Sequence, residues 1–304
     1  MTFNVDPENL TQGLSQFSHR RKLLAHSSDF FLFWRGLFAP AILFAPFFSQ
    51  FILDHLAYYC FALLFLIGNT NYILHLHIHR PFSERPSVNL LLDLTMAAAT
   101  GMTASNWRIQ HIEGHHRGQE DIFRGVGHKK LTRFSCFNAV SYAFSALWPS
   151  FWQPILVAAR RLKQIKSTKL SAYWAFIEQA ALILFFIILA SWRPALAFFY
   201  ILPWWALNYF MTRYVDFLNH FGCDEKSGNP LLCANNSLSP TYNFLTNNFG
   251  YHTAHHCRPS AHWTQLPEIH KRLSSRIPKT QLKSYSWSCA LMPWHFYLSL
   301  RGRM

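Results

Sequence analysis

The residues best equipped for chemistry in this chain are histidines. There are 17 in 304 residues. Nine fall into three tight clusters and one outlier, each beside a long apolar stretch. The clusters are His75 and His79 in HLHIH, His111, His115 and His116 in HIEGHH, and His252, His255 and His256 in HTAHH; the outlier is His220 in NHFG. A neutral imidazole nitrogen is a good metal donor near pH 7, and histidines at i, i+3 and i+4 share one helix face. His75 and His79 therefore stack, whereas His77 points about 200° away from His75 and is expected to miss the site. By the same α-helical rule His111 and His115 share a face, with His116 about 100° round. A structural zinc site needs only four ligands. Nine imidazoles and no CxxC pair among the six cysteines suit two ions with four or five nitrogens each. Imidazole serves zinc, copper, iron and nickel alike, so the ligand type does not choose the metal. The isolated His19, His26, His55, His128, His262, His270 and His295 are expected to be surface or interface residues.

The elements that must position these clusters are membrane spans. The chain is 51% hydrophobic and 14% charged, against about 25% charged in a typical soluble domain. Apolar runs predict spans at about 31–53, 56–79, 172–191 and 195–217. Residues 88–106 contain Asp93 and Gly101 and are expected to form a re-entrant or buried helix. The stretch 151–170 mixes Phe, Trp and Leu with Arg160, Arg161, Lys163 and Lys166, as a helix lying among head groups would. An aromatic patch near Trp287–Tyr297 suits the bilayer surface. The polar N-terminus predicts that the first span is retained. Among 28 Lys and Arg, only Arg193 falls in an outer turn, and Arg35 and Arg213 fall within spans. All the others share one side, so the net charge of +14 is read as cytoplasmic flanks meeting anionic lipid. Both termini and all nine histidines then face the cytoplasm. The expectation is an all-α, four-span transmembrane bundle. Residues 1–30 form an N-terminal segment and 31–304 a single domain, whose cytoplasmic cap (80–171 and 218–304) holds the di-metal site.

These motifs match a known group. HLHIH, HIEGHH, NHFG and HTAHH, in that order, resemble the histidine boxes of the membrane fatty acid desaturase and hydroxylase superfamily. The stretch NNFGYHTAHHCRPSAHWTQLPEIH is especially similar to the third-box region of acyl desaturases, and the likeness runs from about Tyr72 to His270. The resemblance implies two irons (Fe2+/Fe3+) held by His75, His79, His111, His115, His116, His220, His252, His255 and His256, with O2 as co-substrate. It implies oxidation of an unactivated C–H bond in a fatty acyl or similar lipid chain, most simply desaturation. Hydroxylase, ketolase and decarboxylase chemistry are the alternatives on the same scaffold. Leu76 stands where an acid often follows the first histidine, and Asp216 stands where one branch has asparagine. No HPGG marks a fused cytochrome b5, so a separate ferredoxin, rubredoxin or cytochrome is the expected electron donor. Glu113, Asp121 and Asp216 are the acids expected to offset the charge of the metal centre from behind its ligands.

Other classes fit less well. A zinc protease would want HExxH, and Glu113 sits in the wrong place for it. A transporter would carry its histidines at mid-membrane rather than at span ends. Basic charge alone could suggest nucleic acid, but the apolar runs assign it to lipid.

Overall fold

The computed structural model of the chain describes residues 21–116, 136–162, 169–224, 227–288 and 291–301. The molecule is mostly helical. In lipid every backbone N–H needs an internal partner, which a helix supplies. Among the described residues three helical segments are long and apolar enough to cross a membrane: Ser27–Phe47, Leu56–His79 and Ala172–Trp192. The first contains helix α1 (Phe30–Phe44), followed by a 3-10 turn over Ala45–Phe47. Pro46 has no N–H to continue the ladder, and the chain restarts at Ser49, whose hydroxyl caps a short helix over Gln50–Asp54. The first segment therefore ends near Phe47 instead of reaching 53. The second comprises α2 (Leu56–Leu66) and α3 (Thr70–His79), which carries the first histidine cluster.

Helix α4 (Pro86–Thr100) is the buried helix expected over 88–106, and it buries Leu92, Asp93 and Met96. Gly101 ends it with φ 75°, and a Cβ there would lie 2.6 Å from the Trp205 ring, so only glycine meets both demands. Helix α5 (Ala104–Trp107) runs directly into a nine-residue π-helix, Arg108–His116, which carries the second cluster. Then come α6 (Cys136–Leu162) and α7 (Lys169–Trp192). The expected fourth span is helical throughout Pro194–His220, as a short turn, a π-turn at Ala197–Ile201 and helix α8 (Leu202–His220). It is not among the three most apolar segments. Asn208 and Arg213 interrupt it, and both are buried against protein.

The first three segments and the start of the fourth share a core that includes Leu43, Phe47, Leu63, Leu182, Leu189, Ile201 and Trp204. Their outer faces expose Phe31, Phe38, Phe65, Ile187, Ile188 and Phe199, an apolar belt suited to lipid. Above it lies a cap of α9 (Pro240–Leu245), α10 (His252–Cys257), α11 (Leu266–Leu273) and α12 (Met292–Leu300), tied by a two-residue parallel pairing of β1 (Asn236–Ser237) with β2 (Leu282–Lys283). The aromatic patch divides in two. Trp287 is wholly buried with Tyr214, Phe217 and Tyr242, while Trp294, Phe296 and Tyr297 on α12 are exposed. Of the basic stretch 151–170, Trp152 and Leu156 are exposed on α6, and residues 163–168 lie outside the described ones.

Candidate metal centre

All nine histidines singled out in the sequence converge, and they separate into two groups. His75, His79, His111, His116 and His255 form one; His115, His220, His252 and His256 form the other. Within each group the ligand nitrogens lie within 4.8 Å of one another. Nε2 faces Nε2 across His75–His111 (2.7 Å), His111–His116 (3.1 Å) and His116–His255 (3.0 Å) in the first group. In the second the pairs are His220–His252 (3.3 Å) and His252–His256 (3.2 Å), and His115 sits 3.2 Å from His256.

The second cluster departs from the α-helical expectation. A π-helix closes i→i+5 hydrogen bonds, so residues i+4 and i+5 fall on either side of residue i. His116 therefore joins His111 in the first group while His115 turns to the second, although the rings of His111 and His115 remain 5.3 Å apart. In α10 the ordinary helical spacing does the same job. His252 and His256 stay together, and His255, one residue short of a turn, reaches the first group.

His77 misses the site, as its phase requires. Its Nε2 lies 3.3 Å from Asp93 of α4, and its Nδ1 accepts from the Phe82 N–H. Asp93 also takes both terminal nitrogens of Arg108 at 3.0 Å. One buried carboxylate thus ties the back of the first-box helix to the base of the π-helix. A second, on α7, anchors the short helix that leads into the π-helix. Glu178 accepts the Ser105 N–H at 2.8 Å and its hydroxyl at 2.6 Å, and Gln179 accepts from the Asn106 amide at 2.8 Å.

Outside the membrane-spanning segments, His111, His116, His252, His255 and His256 are all held well below the usual histidine pKa. Burial is the main cause, and neighbouring imidazoles add repulsion. They are neutral at pH 7, as ligands must be. Neutral rings whose Nε2 atoms crowd together cannot all donate to one another, so converging lone pairs are left for a cation. Nitrogens about 2.1 Å from one ion are at most about 4.2 Å apart, so a spread of up to 4.8 Å closes with small side-chain shifts. The residues present fit a metal ion in each group. His220 is oriented for it, since its Nδ1–H donates to the Cys233 carbonyl at 2.8 Å and Nε2 faces the group.

A cleft of about 520 Å³, its mouth included, reaches both groups past Asn71, Tyr72, Phe249, Thr212 and Asn219. Arg213 is buried in its wall, over the Trp107 ring at 5.2 Å. With its amide oxygen turned to the guanidinium, Gln110 accepts from both terminal nitrogens of Arg213. Of the three acids expected near the centre, Asp216 lines this cleft, Glu113 is half-buried within the π-helix, and Asp121 lies outside the described residues.

The isolated histidines are not all superficial. His262 is buried, with Nε2 3.0 Å from the equally buried Asp29, and Trp263 Nε1 donates to the same oxygen at 2.8 Å. Asp29 and His262 line a second cleft of about 330 Å³ together with His79 and His255. No local pattern in the sequence marks this pair. His295 and His270 are also buried, and His295 lies between Tyr214 and the Ser286 carbonyl. His19 and His128 fall outside the described residues.

With this geometry in place, comparison with known proteins assigns the class. The pattern of the fatty acid desaturase family matches residues 53–287, and the chain belongs to that family. No curated protein and no solved structure matches it. Family, apolar helices and histidine groups together fit an integral membrane enzyme that oxidises lipid with a metal cofactor.

Proposed function

We propose that the nine histidines hold two iron ions and that the chain is an O2-dependent desaturase of a fatty acyl or similar lipid chain. The observation that carries this is the division of all nine imidazoles into two adjacent groups of buried and half-buried rings, with His111, His116, His252, His255 and His256 held neutral mainly by burial. Iron bound there supplies the O2 activation that removal of hydrogen from an unactivated methylene requires. The chain's own residues do the rest. Phe249, Trp107 and Val215 present apolar surface where the cleft passes the histidines, so a methylene can lie against them. Burial of His75, His111, His252 and His255 keeps bulk water from the donors. Arg213 and Gln110 fix the floor of the cleft through their paired hydrogen bonds.

The proposal includes four spans, the fourth ending near His220, with both termini and the histidines cytoplasmic and residues 31–304 as one domain. A separate ferredoxin, rubredoxin or cytochrome supplies electrons. The test is elemental analysis of the purified chain, followed by lipid product profiling of iron-supplied membranes. About two irons per chain and a new double bond in an acyl chain are expected. An oxygenated product would replace desaturation by hydroxylation or ketolation. An active preparation holding only zinc would sink the iron assignment.

A further inference from the structure

From Ser227 to Cys257 the chain holds no Lys, Arg, Asp or Glu. The middle of this stretch folds as α9, capped by the Ser239 hydroxyl, which accepts the Tyr242 N–H. One side of α9 is buried and carries Tyr242 and Asn243. The other side exposes Phe244 at 84% and Leu245 at 58%, with Leu238 at 37% just ahead of it. By sequence α9 belongs to the cap, yet it packs along the flank of the second apolar segment. The Asn69 amide donates to the Leu245 carbonyl at 3.2 Å, and the Tyr72 and Tyr242 hydroxyls lie 3.3 Å apart. Phe249 sets its ring against Tyr72 and His75 at 5.0 and 4.9 Å. Asn69, Tyr72 and His75 follow one another at i+3 spacing and share that flank. Leu245 is the contact farthest from the histidines, at the break between α2 and α3.

On the four-span reading, about 20 residues cross a hydrocarbon core of about 30 Å, and that count from the outer turn at His55 ends at His75. Asn69 stands six residues earlier, about 9 Å inside that boundary. The polar groups around α9 turn inward, as lipid surroundings require. Asn243 Nδ2 donates to the Ser237 and Ser239 carbonyls at 2.8 and 3.1 Å. The Thr246 hydroxyl donates to the Tyr242 carbonyl at 2.7 Å, and the Asn248 N–H to the Asn243 carbonyl at 2.8 Å. We propose that α9 is a membrane-inserted element of the cap, with Leu238, Phe244 and Leu245 lying among the acyl chains of the leaflet on the histidine side. Lipid is the occupant because the face is apolar, uncharged and level with the belt of the spans. The inference rests on the second segment crossing the bilayer. It keys the cap to the leaflet beside the cleft, since Tyr72 and Phe249, which pack with α9 and its loop on that flank, also line the cleft.

The experiment is photocrosslinking of the chain in phosphatidylcholine nanodiscs, with p-benzoylphenylalanine in place of Phe244 and adducts read by mass spectrometry of the labelled peptide. Metal content and turnover play no part. Phe199, 84% exposed in the belt, is the lipid-facing control, and Ser275, exposed on the cap, is the water-facing one. Phe244 is exposed and its replacement is aromatic, so the fold is not at stake. A lipid adduct at 244 with a yield matching 199, and background yield at 275, supports insertion. Background yield at 244 while 199 reacts overturns it. A crosslinked dimer from 244 also overturns it, since the face would then be covered by a second copy of the chain. Background yield at both 199 and 244 removes the membrane-spanning reading itself and the insertion with it, a result distinct from the other two.

Discussion

The two histidine groups have similar donors but different supports. The five-histidine group is built on helices whose far sides are pinned by buried acids: Asp93 holds His77 and Arg108, and Glu178 holds Ser105. The four-histidine group is braced from the cap side. His220 donates to Cys233, and Asn236 of β1 holds Thr253 of α10 through both its side-chain atoms, at 2.7 and 3.0 Å. One site thus takes its shape from helix packing and the other from chain segments folded over it. Among the described residues, the π-helix and α10 serve both groups, whereas α3 serves the first alone and α8 the second alone. Perturbing one set of supports should therefore affect one ion more than the other.

The largest effect comes from removing one donor from each side. His255→Ala should lose the ion of the five-histidine group and all activity while still inserting in the membrane and keeping the other ion. His256→Ala should do the reverse. Metal content of the two variants checks the division. Loss of both ions in each would mean a single coupled cluster, and full activity in either would end the ligand assignment for that residue.

Acid should act on both groups at once. In the unfolded chain a histidine titrates near pH 6.5, and the folded metal-free protein holds His111, His116, His252, His255 and His256 lower, mainly through burial. Below pH 6.5 the unfolded state binds protons that the folded state refuses, so stability present above that pH is lost as pH falls. Each such histidine contributes a slope of at most about 1.4 kcal/mol per pH unit. Thermal unfolding of the metal-free protein in detergent should shift to lower temperature between pH 7.5 and pH 5.5. An unchanged midpoint would contradict neutral, buried imidazoles. Metal should reduce the loss at mild acid, since bound ligands cannot take up protons.

Asp93→Ala tests the supports of the first group. It leaves the wholly buried His77 and the half-buried Arg108 without their shared carboxylate. Breaking a buried ion pair in this way costs about 3–5 kcal/mol, less here because part of Arg108 reaches solvent. The five-histidine ion should weaken before the four-histidine ion does. Equal weakening of both would erase the difference in support.

Much of this site was legible in the sequence because it depends on residue type and short spacing. Eight histidines at i, i+3 and i+4 and the lone His220 pointed to the side chains that converge, and the phase of His77 set it apart from them. Allocation of donors to groups was not legible. Helical arithmetic pairs His111 with His115, and only the π-register of Arg108–His116 pairs His111 with His116 instead. The partner of His77 was equally hidden, since Asp93 comes from another helix. The Asp29–His262 contact spans 233 residues and has no local signature. Composition found the three apolar segments readily. It could not show that Trp287 belongs to the core and Trp294 to the surface, because seven residues apart in an aromatic stretch the two differ only in what packs on them.

Glu178 offers the finest comparison, because it sits under the element that feeds both groups. Its two oxygens accept two donors of Ser105, at the start of the helix that becomes the π-helix. In Glu178→Gln the amide oxygen keeps the Ser105 N–H and the N–H₂ donates to the Ser105 hydroxyl, which then accepts, so the charged clamp gives way to two weaker neutral bonds at a cost of about 1 kcal/mol. Gln179 and Asn106 remain as a second tether, so the fold should survive. With the clamp weakened, relaxation of the segment toward α-helical register would carry His116 away from His111 and His255. The expected result is a modest, selective fall in affinity of the five-histidine ion, with the four-histidine ion changed little, because His115 is only one of its four donors and the cap holds the other three. Ser105→Ala removes the hydroxyl but keeps the N–H, so it should show the same selectivity. An effect of Glu178→Gln confined to the four-histidine ion would mean that the π-helix is held from the cap rather than from α7.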